Sequence, residues 1–252
     1  MTQPLPQLLA KCPLREVIFE LRFAPSKPAA GDLLLGILYS ALKKDYSEMI
    51  PLPMASVPRQ FRNQNPEMLY QPSHRLGSGM NSVNVGDRVV NVHTLEYPGW
   101  SRFKERAESL IGALQATGFV QQIERFSFKY TNLIEAAEPE SQLPLLNMHV
   151  ELCGKAPTEK GFHLRTELFE GKYTTIIQIA PNTSVKITAS NKEVPGLKEV
   201  SGLLVDVDTI RFGVGNEFWT DRASLLEEGH MVAKRTFFSL LTKAALERLG
   251  PK

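Results

Sequence analysis

The chain has 252 residues, 42% of them hydrophobic and 22% charged, with 29 Lys plus Arg against 27 Asp plus Glu for a net charge of +2. This excludes an intrinsically disordered chain, which has low hydrophobicity and a large net charge, and its ordinary Gly and Pro content excludes collagen-like or proline-rich material. The length admits one large domain or two small ones, and a balance so close to neutral gives no general attraction for nucleic acid.

Leu14–Phe23 alternates, with Val17, Phe19, Leu21 and Phe23 on one face and Glu16, Ile18, Glu20 and Arg22 on the other. That period of two predicts a half-buried strand, ended by Pro25 and Pro28. Asp32 is placed to cap a helix to about Tyr46, with Leu34, Leu38, Ala41 and Leu42 on its apolar face. Residues 51–66 are broken by four prolines, and short strands are predicted at Met68–Gln71 and around Leu76. Asn81–Val85 and Arg88–Glu96 flank Gly86-Asp87, which predicts a hairpin with a type I′ or II′ turn. From Ser101 to Thr117, Phe103, Ala107, Leu110, Ile111 and Leu114 recur at helical spacing, and Gly118 stands at the helix C-terminus. Ile123–Ala136 reads as a long strand with Phe126, Phe128, Tyr130, Asn132 and Ile134 on one face.

Pro139 and Pro144 mark a joint between an N-terminal α+β half, residues 1–138, and a strand-rich C-terminal half, 139–252. One compact domain is the alternative. Predicted strands follow at Met148–Leu152, Phe162–Phe169, Tyr173–Ala180, Ser184–Ser190 and Gly202–Phe212. A helix from about Thr220 to Leu249 closes the chain, with a kink expected at Gly229. Strands outnumber helices and hairpins dominate. The fold class is therefore α+β: a large curved, mainly antiparallel sheet, in one piece or two related halves, packed by three long helices.

Cys12 and Cys153 cannot make a disulfide framework, and there is no C-x-x-C motif. Free thiols in a cytoplasmic protein are expected. The segment Met1–Ala10 has no cationic region and no long apolar run, so neither a signal peptide nor a membrane partner is expected.

No G-x-S-x-G, P-loop or G-x-G-x-x-G motif occurs, and none of the five histidines sits in a metal-binding H-x-x-x-H or H-E-x-x-H. Cys153, following a strand with His149 on it, reads as a small buried residue rather than a nucleophile. Asp206 and Asp208 form a D-x-D on one strand face, which with His230 is the candidate metal set, although solvent-facing carboxylates are the simpler reading. Glu16 and Glu20 lie roughly 13 Å apart at about 3.3 Å per residue, too far for a glycosidase acid–base pair. With Arg22, Lys129 and Asn132 they form the candidate ligand-binding set, because a buried amide needs partners and a charged strand face can line a groove. Arg59, Arg62 and Arg125, interleaved with aromatic residues, are the candidate nucleic-acid set. Trp100 reads as a packing anchor.

Pro13–Phe23, Tyr97-Pro-Gly-Trp100 leading into a helix, Arg125–Asn132, Leu203–Asp208, and His230 ahead of Phe237-Phe238 resemble a sporadically distributed bacterial family of about this length. Members tend to carry Arg where Lys129 stands. The resemblance implies no catalytic set and no cofactor, and its patchy distribution implies a bacterial conflict or mobile-element setting. The expected function is a non-enzymatic binding module for a protein partner or a small ligand, compatible with a homodimer. The alternatives are a metal-dependent phosphoesterase-like enzyme and a nucleic-acid-binding protein.

Overall fold

The structure is a computed structural model that describes residues 5–27, 30–158, 161–188 and 197–252. Alternating segments become strands because each can bury one face. They are β1 (Leu14–Pro25), β2 (Met49–Pro51), β3 (His74–Leu76), β4 (Asn81–Val85), β5 (Val89–Thr94), β6 (Val120–Glu135), β7 (Leu164–Glu170), β8 (Tyr173–Thr188) and β9 (Leu197–Gly215). Among the described residues they form one nine-stranded antiparallel sheet in the order β2-β3-β4-β5-β1-β6-β9-β8-β7. β6 and β9, from either side of the Pro139–Pro144 segment, are hydrogen-bonded neighbours.

The helices are α1 (Ala30–Leu42), α2 (Arg59–Gln64), α3 (Trp100–Ala116), α4 (Glu217–Leu240) and α5 (Lys243–Leu249), with 3-10 turns at Pro53–Ser56, Pro139–Ser141 and Leu143–Leu145. Helical segments are thus more numerous than the three expected. Three are long; the others are single turns or short pieces. Phe103, Ala107, Leu110, Ile111 and Leu114 of α3 are all buried, as their spacing requires. They join Val17, Phe19, Leu21 and Phe23 of β1 and Phe126, Phe128 and Tyr130 of β6 in one core cluster. No described helix is long and apolar enough to cross a membrane.

Several local expectations are corrected. The first helix ends at Leu42, four residues short of Tyr46, whose ring is nevertheless buried. Met68–Gln71 forms a turn, and Met148–Leu152 forms no strand beyond an isolated bridge from Leu152 to Lys155. Its alternation finds no sheet edge to extend, and the chain reverses instead at Cys153 and Gly154, both at positive φ, which leaves Cys153 exposed rather than buried as expected. The Ser184–Ser190 strand is the end of the longer β8; residues 189 and 190 lie outside the described residues. The β4–β5 turn is neither type I′ nor II′, since neither Gly86 nor Asp87 has positive φ. Glycine is needed there for space: a Cβ on Gly86 would stand 2.7 Å from the Gln71 carbonyl oxygen.

Gly229 produces no break in α4. It lets the helix approach the sheet, where its Cβ position is 3.1 Å from the rings of both Phe126 and Phe128. The break falls later, at Leu241 and Thr242, where Leu241 turns extended to bridge Leu146. Thr242 then caps α5, its hydroxyl accepting from Ala245 N at 3.3 Å and donating to Leu145 O at 3.1 Å. Thr242→Ala is expected to cost about 1 kcal/mol in a urea denaturation measurement, the usual loss for a capping hydroxyl.

Candidate functional site

Because side chains alternate, β1, β6 and β9 present a second face opposite the core. Antiparallel register brings Glu16, Thr131 and Asp206 into one row across these strands, and Ile18, Lys129 and Asp208 into the next. Glu20 and Ser127 follow, then Arg22 and Arg125. Seven of the residues singled out from sequence therefore meet on this face: Glu16, Glu20, Arg22, Arg125, Lys129, Asp206 and Asp208.

They are used mainly on one another. Glu20 Oε1 accepts from Arg22 Nε and from the Arg125 guanidinium, both at 2.8 Å. Arg22 also lies 4.6 Å from the Tyr70 ring centroid, a cation–π contact. His93 Nε2 donates to Glu16 Oε1 at 2.7 Å, and Ser82 Oγ lies 3.4 Å from the other ring nitrogen. The hydrogen bond from His93 outweighs burial and holds the Glu16 carboxyl below its ordinary range. Asp206, only 5% exposed, receives Lys129 Nζ and Gln178 Nε2 at 3.2 Å on one oxygen and the Thr131 hydroxyl at 3.2 Å on the other. Burial opposes charge on both partners. Lys129 is raised because Asp206, Glu16 and Asp208 outweigh its desolvation; Asp206 is raised because desolvation outweighs Lys129.

Asp208 differs. Its Oδ1 is buried with no hydrogen-bond partner, and burial pushes its carboxyl up to about 6 against the opposing pull of Arg125.

The other predicted residues lie elsewhere. Asn132 and His230 are on the core side, because Asn132 alternates with Thr131 and His230 Nδ1 meets the Tyr130 hydroxyl at 2.8 Å. The expected metal set is thereby divided, with Asp206 and Asp208 on one face of the sheet and His230 on the other. Among the described residues no group of three or more His, Cys, Asp or Glu side chains is arranged for a metal ion. The expected ligand set is divided in the same way, Asn132 being separated from Glu16, Glu20, Arg22 and Lys129 by the thickness of the sheet. The nucleic-acid set is not one patch either. Arg59 reaches Asp32 at 2.7 Å and Arg62 reaches Asp87 at 3.2 Å, while Arg125 serves Glu20.

Asn132 and His230 are instead brought together at a cavity of about 440 Å³ between the start of β1, the Tyr97–Trp100 turn, β6 and α4. Its walls are mostly apolar, including Leu9, Pro13, Leu14, Ala233, Phe237 and Phe238. Trp100 opens α3 and stacks on His230 with ring centroids 4.0 Å apart and planes 8° from parallel. The indole nitrogen donates to Glu227 at 2.7 Å, and Lys104 holds the other oxygen of that carboxylate at 2.7 Å. Trp100 is thus anchored as predicted, and it is also a stacking platform.

Burial, assisted by the charge of Lys234, pushes His230 down to about 4, so the imidazole is neutral at pH 7. Burial raises Tyr130 well above its ordinary range, so its hydroxyl keeps its proton and can donate to His230 Nδ1. Asn132, 3% exposed, donates its amide to Tyr130 O and Val205 O, both at 3.3 Å. None of the described groups donates to its Oδ1.

The sequence reading missed Tyr97, Cys12, Ala233 and Lys234 at this cavity. His230, Ala233, Lys234 and Phe237 recur at helical spacing on α4, a signal that marks a common face. Nothing local shows that Cys12 lies opposite them. No family model matches the chain, and no curated protein matches it.

Proposed function

We propose that the protein is a binding module for a small, largely apolar molecule held in the cavity between β1, β6 and α4. The observation that carries this reading is a cavity of about 440 Å³ with apolar walls and a few convergent polar groups. Small-molecule sites have that size and composition. His230 is held rigidly by the Trp100 stack and the Tyr130 hydroxyl, which lowers the entropy lost when it orients a ligand. The charged sheet face supports binding less directly, because most of its groups already pair with one another.

The test uses two neutral probes, octanamide and 2-naphthamide, in a Cys153→Ser background that leaves the exposed Cys12 thiol as a reporter at the cavity. At ten times Kd a bound probe stabilises the fold by about 1.4 kcal/mol. For a chain of this size that raises Tm by roughly 3–6 °C. Alkylation of Cys12 by a maleimide is expected to slow at the same probe concentrations. Absence of a Tm shift, or a shift that leaves Cys12 alkylation unchanged, would overturn the reading.

A further inference from the structure

The cavity wall carries one ionised side chain among the described residues. Lys234 lines it, one helical turn beyond His230. Lys104, Lys129 and Lys243 each hold a carboxylate, at 2.7, 3.2 and 3.8 Å. Lys234 holds none among the described residues. Its neighbours one turn away on α4 are His230, Met231, Phe237 and Phe238, none of them acidic. The nearest acid before it on the helix, Glu228, accepts from the Tyr173 hydroxyl at 3.0 Å, and Glu227 is committed to Trp100 and Lys104.

Residues four apart on a helix are neighbours, about 5–6 Å between Cβ atoms. Lys234 and His230 are therefore neighbours on the face of α4 that lines the cavity, and each side chain carries an N–H donor. The Tyr130 hydroxyl keeps its proton and can donate to Nδ1; in that tautomer the neutral ring carries its proton on Nε2, which no described group accepts. A carboxylate has two oxygens and is acceptor-only when ionised, so it matches two adjacent donors, one of them charged. The rest of such a ligand has apolar surface to bury against Leu14, Ala233 and Phe237.

We infer that the ligand is an amphipathic monocarboxylate, its apolar body in the cavity and its carboxylate between Lys234 and His230. This rests on the binding reading above and names the class of molecule bound. It differs from a purely hydrophobic site in requiring a charge preference that resides in one lysine.

The test compares octanoate with octanamide and 2-naphthoate with 2-naphthamide by isothermal titration at pH 7. Each acid is expected to bind at least tenfold more tightly than its amide. Lys234→Gln is expected to abolish that preference, bringing the affinity of each acid to within twofold of that of its amide in the same variant. The aliphatic and aromatic pairs separate the two sources of an apolar carboxylate. If the amides bind and the acids bind no more tightly, or if Lys234→Gln keeps the preference, the carboxylate inference fails and the cavity reading stands. If no probe binds, both fail.

Discussion

Phe128→Ala is expected to lower the unfolding free energy by about 3–5 kcal/mol, the range for truncating a buried aromatic side chain. Phe128 is fully buried on β6, a strand near the middle of the sheet. Its ring lies 5.0 Å from Phe19, 6.2 Å from Phe126, 5.5 Å from Trp100 and 6.5 Å from Tyr130. Gly229 of α4 closes over it from above. An alanine leaves a void that the helix cannot fill without moving, so both the lost burial and the unfilled space contribute. Equilibrium urea denaturation checks the magnitude. The same variant should loosen the Trp100–His230 stack, because Phe128 supports the edge of the indole. Weaker binding of 2-naphthamide than the stability loss alone explains would report that loosening.

Asp208→Asn is expected to do the reverse and stabilise the protein by up to about 3 kcal/mol at pH 8. In the folded chain burial pushes the Asp208 carboxyl up to about 6, from an ordinary value of 3.8. Between those values the folded state binds more protons than the unfolded state. The stability tied to the protonated group is complete below pH 3.8 and is lost as pH rises through 6. Above that, the ionised carboxyl is a cost that the neutral amide does not carry. The advantage of the variant should therefore stay near its maximum from pH 8 to about 7 and shrink as pH falls from about 6 towards 4. Urea midpoints measured across that range check both sign and window. A gain that is constant with pH would mean that Asp208 does not titrate as its burial requires. The orphaned Oδ1 is the structural origin of this effect, since Lys129 across the strand pair is drawn to Asp206 instead.

The sequence placed the charged face well because its logic is local. In a strand, alternate residues share a side whatever the neighbours are. Glu16, Glu20 and Arg22 are thus bound to appear together, as are Arg125 and Lys129, or Asp206 and Asp208. What alternation could not supply is which strands lie side by side. Glu16 meets His93 across 77 positions and Glu20 meets Arg125 across 105, contacts that exist only through the order β5-β1-β6-β9. That order turns three separate charge patterns into one network.

The division of the metal and ligand sets has the same origin. Grouping Asp206, Asp208 and His230 by residue type ignored the sheet between them, because the face on which a helix packs is not encoded in the helix's own periodicity.

By itself the sequence determined the α+β class, the long central strands, the buried stripe of α3 and the division of each strand into an apolar and a polar side. These follow from periods of two and 3.6 residues, which any short window carries. Only the tertiary structure decided the rest. It split the last helix at Leu241, where an extended residue bridges Leu146. It used Gly229 for close packing rather than a bend. It also brought Tyr130, Trp100 and His230 together around one cavity, with Cys12 at its wall and Tyr130 and His230 100 residues apart. A cavity is the space that several elements leave between them, and no single segment specifies it.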